Sequence, residues 1–537
     1  MRAGLSSRLL ATLTALNLAL GACGVAEFDL GIGAFEIGVN QAILWTHVVP
    51  DDPDRKSVAF TMQVATDPDF SNVVREQVVT AKAASDFTVR ALVPGLKPAT
   101  RYHYRFFAFD DGNNEIASPT GTFRTAPREQ DGAPVRFVIS GDSNLGYTGP
   151  RGLDFHVLSA AVEDDPDFFV YFGDTIYADS GILPGGSAFT LGEYRQVHRL
   201  TRGDPHLQAL LAATGTFSGW DDHEVRNDYD GETVDPVQFE NGAQAFFEYL
   251  PVRQNADGPP FRTDRSVRWG KHVELFFLDG RQFRSAERFC NPDPIPDGPE
   301  TPDTLFSPFV EDEILAIEAD PVIGPVAAAL LLTPSDPDCV DTVLADPDRS
   351  ILGARQLDDL KQALLDSTAT FKIIVNNTPL STLLVTPYDR WDGYLAEKAD
   401  LLEFISANLD PSRVLVLTTD FHTNMAIRRS ELTEVIVGPI GQTTFGGTVR
   451  GILTDLGLPP ALAPVFLNLF DEVVALGNGG PDAVLASAHD AFSYARVEVW
   501  KEGGTPRLRL TARGNPDYLL GVNDPADVVD LFTIELP

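Results

Sequence analysis

Short apolar runs set off by turn residues fill the first quarter of the chain. Ala42-Ile43-Leu44-Trp45-Thr46, Val58 to Ala65, Val73 to Val79 and Tyr102-His103-Tyr104-Arg105-Phe106-Phe107 read as strands. Asp67-Pro68-Asp69-Phe70 and Leu92-Val93-Pro94-Gly95-Leu96-Lys97-Pro98 punctuate them. Turn signals at roughly ten-residue spacing predict a small all-β sandwich over residues 28–127, with Ala126 to Gly132 as a linker. From Val135 the rhythm changes. Arg136–Ser140, Phe168–Phe172, His272–Leu278, Phe371–Val375 and Val414–Leu417 are short apolar strands that run into acidic loops. Leu153–Glu163, Gln356–Leu365 and Lys398–Asn408 read as helices between them. The alternation predicts an α/β domain over residues 134–537, with chemistry at the strand ends. Two insertions interrupt it. Residues 290–350 begin as a Pro/Asp-rich loop and continue into an apolar helix-like run, Val322–Leu332; residues 446–490 include Leu456–Leu469. Both are candidate lids over a site.

The first residues carry the pattern of an export signal. Arg2 and Arg8 give a positive start, and Leu9 to Leu20 is long enough for a signal core but too short to span a bilayer. Leu20-Gly21-Ala22-Cys23 resembles a bacterial lipoprotein box. Residues 1–22 are then a signal peptide, and lipid on Cys23 anchors an otherwise soluble body that faces the periplasm or the exterior. An ordinary signal cut near Ala22, releasing a soluble protein, is the alternative. Cys290 and Cys339 are an even pair outside the cytoplasm, where a disulfide is permitted. Closing that loop of about 50 residues would contribute roughly 4 kcal/mol in the chain-entropy model; two free thiols are the other reading. The segment Leu-Lys-Pro-Ala-Thr-Arg-Tyr-His-Tyr-Arg, residues 96–105, resembles the corner of a fibronectin type III module.

Charge sharpens the functional question. The 537 residues carry a net charge of −36, and 43% are hydrophobic, enough for a sizeable core. Such a surface repels nucleic acid, so no nucleic-acid-binding face is expected. It would also repel a phosphate substrate, unless bound cations reverse the local sign.

Five polar clusters follow strand-like runs. They are Ser140-Gly141-Asp142-Ser143-Asn144, Gly173-Asp174-Thr175-Ile176-Tyr177, Trp220-Asp221-Asp222-His223-Glu224, Asn376-Asn377 and Thr419-Asp420-Phe421-His422. Carboxylates at the ends of buried strands are costly unless something positive meets them. Hard oxygen donors with a few imidazoles suit Mg, Mn, Ca, Zn or Fe. Two such ions about 3.5–4 Å apart hold a phosphoryl group and activate water, which makes metal-assisted ester hydrolysis one reading of the residues alone. No Gly-x-x-x-x-Gly-Lys-Ser/Thr loop is present, and neither Ser180 nor Ser218 lies in a Gly-x-Ser-x-Gly elbow.

Four segments in this order, Gly-Asp-Thr-Ile-Tyr-Ala-Asp, Trp-Asp-Asp-His-Glu-Val, Leu-Asp-Gly-Arg-Gln-Phe-Arg and Arg-Trp-Asp-Gly-Tyr, are similar to the alkaline phosphatase D (PhoD-like) family of metallophosphoesterases. The resemblance implies two mixed sheets packed face to face and flanked by helices, behind a fibronectin III-like module. With the related purple acid phosphatase pattern it also implies roles. Asp174 bridges two metal ions, Fe3+ with Ca2+, Zn2+ or Mn2+. Tyr177, Asp142 and His422 hold one ion; Asp222, Asn376 and Asp420 hold the other. His223 contacts phosphate or protonates the leaving group, and a metal-bound hydroxide attacks phosphorus. Alternation in an extended segment would turn Asp420 and His422 to one side.

The pattern departs at the first strand. The family has Ser-Cys there, with Cys as ligand; this chain has Gly141 followed by Asp142. Thr418-Thr419 likewise opens a motif that more often reads Gly-Asp-x-His. Several residues keep two readings. Asp221 and Glu224 are a solvated face or partners that orient ligands. Asn376 and Asn377 are ligands or turn caps. Arg281 and Arg284 meet substrate phosphate or pair internally. His47, His103, His156, His198, His206, His272 and His489 read as structural or surface groups. The substrate is a phosphomonoester, or a phosphodiester of lipid or wall polymer as in phospholipase D-like relatives. A non-catalytic surface binding protein is the reading from another class.

Overall fold

The computed structural model describes residues 24–110, 112–146, 154–255, 258–288, 337–383, 389–455, 457–516 and 527–537. The export signal with Cys23, and Cys290 and Val322–Leu332, lie outside the described residues. Cys339 is disulfide-bonded.

The strands in chain order are β1 (Ile32–Phe35), β2 (Gln41–His47), β3 (Ser57–Ala65), β4 (Val73–Lys82), β5 (Thr88–Pro94), β6 (Arg101–Phe109), β7 (Gly121–Arg124), β8 (Val135–Ser140), β9 (Phe168–Phe172), β10 (Gly215–Gly219), β11 (Arg265–Trp269), β12 (Val273–Phe277), β13 (Phe371–Asn376), β14 (Val414–Thr418), β15 (Asn424–Arg428), β16 (Thr433–Ile436), β17 (Val484–Ala488), β18 (Phe492–Glu502), β19 (Thr505–Asn515) and β20 (Val529–Leu536). The principal helices are α1 (Val157–Glu163), α2 (Leu191–Arg202), α3 (Pro205–Ala213), α4 (Pro236–Tyr249), α5 (Ala354–Asp366), α6 (Leu395–Asn408), α7 (Phe445–Asp455) and α8 (Ala463–Gly477).

Two large mixed sheets form the body. One has the order β20-β19-β18-β8-β9-β10-β1-β2-β5, the other β11-β12-β13-β14-β16-β15-β17. Their parallel strands are β8, β9, β10 and β1 in the first and β12, β13, β14 and β16 in the second. Strand β9 explains the layering. Phe168, Val170 and Phe172 point to the core shared with Trp269, Leu275, Phe277, Ile373 and Val375 of the second sheet. Phe169 and Tyr171, on the opposite face, pack with residues of α1, α3 and α4. Ile374 and Val416 of the second sheet point outward to α5 and α6. Burial on both faces is why these strands read as unbroken apolar runs.

Strand β10 (Gly-Thr-Phe-Ser-Gly) has no such run. A Cβ at Gly215 would collide with Ile37, and one at Gly219 with the Phe172 ring. Close packing therefore demands the residues that erase the strand signal. Helices α3 and α4 are two further elements beyond the predicted ones. Each starts with Asp as N-cap and Pro at the next position, Asp204-Pro205 and Asp235-Pro236, and each Asp accepts two backbone N–H groups of its own helix.

The N-terminal strands do not stand apart from this body. β1, β2 and β5 continue the first large sheet, because β1 pairs in parallel with β10 at Gly215↔Ala34 and Thr216↔Phe35. Strands β7-β6-β3-β4, with the short strand Glu115–Ala117 paired to β6, form a separate sheet packed on the same core, and Val25–Glu27 pairs with Val49–Pro50. Arg90 donates to the carbonyls of Phe247 and Val252, and Trp45 Nε1 donates to that of Glu248 at 2.7 Å. The expected linker is pinned too: Lys271 N donates to Asp131 O at 2.8 Å. Residues 128–537 expressed alone should therefore be insoluble or unfolded, since the edge of β10 and the face of Trp45 would be exposed. A soluble, cooperatively melting 128–537 fragment in calorimetry would contradict the shared sheet.

Candidate metal centre

The parallel strands of both sheets end on one edge, and the polar clusters are the loops that leave them. Asp142 follows β8, Asp174 follows β9, Asp221 and Asp222 follow β10, Asn376 ends β13, and Asp420 and His422 follow β14. Ligands in α/β proteins lie outside the carboxyl ends of such strands. The loops turn abruptly. Asp142, Asp174, Asp420 and His422 have φ of 52°, 45°, 69° and 50°, in the left-handed region that non-glycine residues seldom enter. Gly141 has no space for a side chain, because a Cβ would press on the carbonyl oxygens of Phe172 and Gly173. Asp142 is accordingly the first residue after β8 able to present a donor. Its N–H bonds Gly173 O at 3.2 Å, and Ser143 N bonds Asp174 O at 2.8 Å, so the β8 and β9 loops are tied together.

Two groups of donor atoms result, each lying within 4.8 Å of one another: Asp142, Asp174 and His422, then Asp174, Asp222 and His223. Asp174 belongs to both. Tyr177 Oη lies in hydrogen-bond contact with His422 Nε2 at 2.9 Å, which puts the phenol beside the first group. Asn376 and Asn377 separate in role. Asn377 accepts from Gly280 N at 2.8 Å and donates to Trp220 O, a structural tie. Asn376 donates to Thr378 O at 2.7 Å, while its buried Oδ1 has no hydrogen-bond partner. Asp142 Oδ2 is buried and unpaired as well. Buried acceptors are nearly always satisfied, so such oxygens await a positive partner. Hard oxygens with imidazole are the donor set that divalent and trivalent cations take.

The expected alternation of Asp420 and His422 is corrected. Phe421 N bonds Thr419 O at 2.8 Å, and both flanking residues are left-handed, so the segment is a tight turn and not extended chain. Asp420 Oδ2 accepts from Arg390 Nε at 2.9 Å, and Asp420 N donates to Asp142 Oδ1 at 3.2 Å. Asp420 thus borders the first group through its backbone and carries an arginine on its side chain.

Burial sets the protonation. It lifts the Asp142 and Asp174 carboxyls well above the usual range, and Asp420 pushes Asp142 further up. Burial also opposes ionisation of Asp222, but Arg281 and His223 overcome it and hold that carboxyl low. Burial, then His223 and Arg390, lower His422 to about 3, a neutral imidazole with a lone pair free for a cation. Burial works against the charged form of His223 too, yet Asp174, Asp179 and Asp222 together raise it well above the ordinary value.

Surrounding groups hold the loops. Glu224 Oε1 accepts from Thr175 N and Oγ1, both at 2.6 Å, and Oε2 accepts from Asp221 N at 2.9 Å, so it clamps two motif loops together. Arg281 is fully buried and pairs with Asp221 and Asp389 at 2.5 Å; Arg284 pairs with Asp389 and donates to Asp228 O at 2.5 Å. Internal pairing is therefore the role of both arginines. The sequence reading passed over Asp179, Asp389 and Arg390. Asp179 Oδ1 takes His223 Nδ1 at 2.6 Å, and Oδ2 accepts Asn227 N at 2.6 Å. Asp179 is the last residue of Gly-Asp-Thr-Ile-Tyr-Ala-Asp and Arg390 the first of Arg-Trp-Asp-Gly-Tyr, so both signals were in plain view; Asp389 gave none beyond adjacency to that motif.

Two mixed sheets that end together on a buried carboxylate–imidazole cluster define an α/β fold of the phosphoesterase kind. The chain belongs to the PhoD-like phosphatase family, whose model matches residues 138–455; the model for the PhoD-like phosphatase N-terminal domain matches residues 20–127. It is 26% identical over 436 residues to alkaline phosphatase D of Bacillus subtilis (strain 168), a match covering 74% of this chain and 65% of the relative. The chain thus spans just under two thirds of the length of that curated relative. In fold it is similar to the solved structure of PhoD, with a TM-score of 0.70 at 20% identity, over 95% of this chain and 90% of that one. It is also similar to the purple acid phosphatase PPD1 from yellow lupin seeds, with a TM-score of 0.51 at 11% identity, over 94% of this chain and 73% of that one.

Replacing Gly141 by Ala should displace the β9 loop, lower the melting temperature and weaken cation uptake, measured by calorimetry and by metal analysis after dialysis. Unchanged values in both would show that the β8 turn tolerates a side chain.

Proposed function

We propose that this chain is a two-cation phosphoric ester hydrolase. The observation that carries the reading is Asp174 shared between two adjoining clusters, with Asp142 and His422 on one side and Asp222 and His223 on the other. The assignment keeps Asp142, Tyr177 and His422 on one ion, Asp222, Asn376 and Asp420 on the other, and Asp174 on both. Asp420 would have to yield its contact with Arg390 to serve, which makes it the most demanding member of the set. Bound there, the cations would supply Lewis acidity and activate water at neutral pH. They would also offset the acidic surface toward a phosphate dianion. The oxygens and phenol favour Fe3+ on the Tyr177 side, with Ca2+, Zn2+ or Mn2+ beside it; Asp142 in place of the family's Cys makes that side harder.

The chain's own groups divide the remaining work. His223 holds the proton for the departing alcohol. Asp179 occupies Nδ1, so Nε2 is the nitrogen left to deliver it. The Tyr177 ring, 4.1 Å from the His223 ring between centroids, limits its rotation. Phe421, Phe445 and Phe470 stack beside the Asp420–His422 turn at centroid distances of 4.8 and 5.6 Å from Phe421, and keep water from that flank.

A diester of amphiphilic character is the second reading. Leu458, Leu462, Val465 and Leu476 of the α7–α8 insertion are exposed and apolar, which suits a lipid-like or polymeric substrate. The same reading takes residues 28–127 as a fibronectin III-like module, three strands facing four, fused to a catalytic domain at 134–537. It places the chain outside the cytoplasm, tethered through Cys23.

Hydrolysis of nitrophenyl phosphate against bis-nitrophenyl phosphate, with metal analysis on the same sample, tests the proposal and orders the two substrates. Asp174→Asn should cut turnover by about a hundredfold or more with the fold intact; wild-type activity in that variant removes the assignment. Tyr177→Phe should lose any violet ferric-tyrosinate band, and an unchanged band would place iron elsewhere. Asp179→Asn should slow alkyl phosphates about a hundredfold while sparing nitrophenyl phosphate, whose leaving group needs no proton. Equal losses on both substrates would make Asp179 a purely structural support.

A further inference from the structure

Helix α2 runs along the junction between the N-terminal strands and the catalytic body, and presents three arginines there. Arg195 pairs with Glu248 at 2.7 Å, and Arg199 pairs with Asp86. Arg202, on the next turn, has neither kind of partner. It is 2% exposed, and its Nε, Nη1 and Nη2 lack a hydrogen-bond partner among the described residues. Its guanidinium lies 4.1 Å from the centroid of the Trp45 ring, and the ionisable groups acting on it are Tyr171, Tyr104 and Tyr249. Tyr104 Oη and His198 Nε2, which the same guanidinium influences, are also buried and unpaired. Nearby carboxylates are occupied. Both oxygens of Asp204 accept backbone N–H groups, from His206, Leu207 and Phe155, and Asp86 takes Arg199 and Tyr249.

Among the described residues no carboxylate neutralises this charge. Burial lowers Arg202 only to about 10, so it stays protonated at neutral pH. Burial keeps the Tyr104 hydroxyl protonated and lowers His198 to about 3, leaving it uncharged. The Trp45 face and the carboxyl end of α2 offset part of the charge, but an ion stripped of water needs a counter-ion or hydrogen bonds to its N–H groups. The omission is selective. A chain with 77 acidic residues against 41 basic ones leaves this arginine without a carboxylate, while its two helix neighbours each have one.

We infer that Arg202, with Tyr104 and His198 around it, forms a buried site for a small monovalent anion, chloride in solution, at the junction of the N-terminal strands and the catalytic body. One guanidinium balances one charge. The aromatic walls offer too few donors for a phosphate or sulfate dianion. The site is separate from the metal centre and locks the two parts of the chain together.

Crystals of the full chain grown in sodium bromide and measured at the bromine edge should show an anomalous peak within hydrogen-bond distance of the Arg202 guanidinium. Water density there, with no anomalous peak, overturns the site. In solution, exchanging gluconate for chloride at constant sodium should raise the unfolding midpoint of the wild type by about 1 °C per tenfold of chloride, and leave Arg202→Met unmoved. An equal chloride response in both proteins also overturns it, as does a bromide peak without any chloride-dependent midpoint, which would mark an adventitious ion only. Should Arg202→Met not fold, the wild-type diffraction experiment decides alone.

Discussion

Carboxylates buried at the shared edge of two sheets impose the constraint that organises this protein. Asp142, Asp174, Asp221, Asp222 and Asp389 are all withdrawn from water, and each must be met by positive charge or by hydrogen-bond donors. The chain answers part of that demand itself. Arg281 and Arg284 absorb Asp221 and Asp389, Arg390 absorbs Asp420, and backbone N–H groups of the tight turns take further oxygens. What these do not cover includes Asp142 Oδ2, Asp221 Oδ2 and Asn376 Oδ1, buried oxygens with no hydrogen-bond partner among the described residues. The internal arginines therefore neutralise much of the surrounding acidity and leave oxygens of the candidate metal site uncompensated.

The same demand accounts for the backbone. A ligand at the end of a strand must turn back over the strand's end, and the left-handed residues at 142, 174, 420 and 422 do this in one step. Such turns persist only where neighbours over-determine them. Glu224 bridging two loops, Ser143 bonded to Tyr171 and to the Asp174 carbonyl, and Asn377 bonded to the loops on both sides provide that reinforcement. Loss of one support leaves the others in place, so the geometry is held by a network and not by any single contact.

Further from the centre, packing joins pieces that are distant in the chain. The N-terminal strands extend the first large sheet and cover β10, whose glycines admit the Phe172 ring and Ile37. The α7–α8 insertion brings Phe445 and Phe470 onto Phe421, inside the turn that presents Asp420 and His422. Both additions are therefore mechanical parts of the central body: one completes the sheet that carries Asp174 and Asp222, and the other braces the loop that carries His422.

Much of this was legible in the residues. Strands buried on both faces, such as β9 and β14, need continuous apolar runs, and the loops after them announce themselves by carboxylates too costly to bury idly. Helices with an Asp-Pro start were legible in principle. β10 was not, because its close contacts require small residues that resemble a turn. Local order also governs which residue follows Gly141, so Asp142 could be nominated from the chain. Whether Asp420 shares a side with His422, whether Arg281 meets phosphate or Asp221, and which amide of Asn376-Asn377 keeps a free oxygen are matters of long-range proximity. Sequence determined the elements and the donor types, since these follow from local periodicity and side-chain chemistry. Only the tertiary structure decided the partners, because the energy of a buried charge depends on every group that the fold brings within a few ångströms of it.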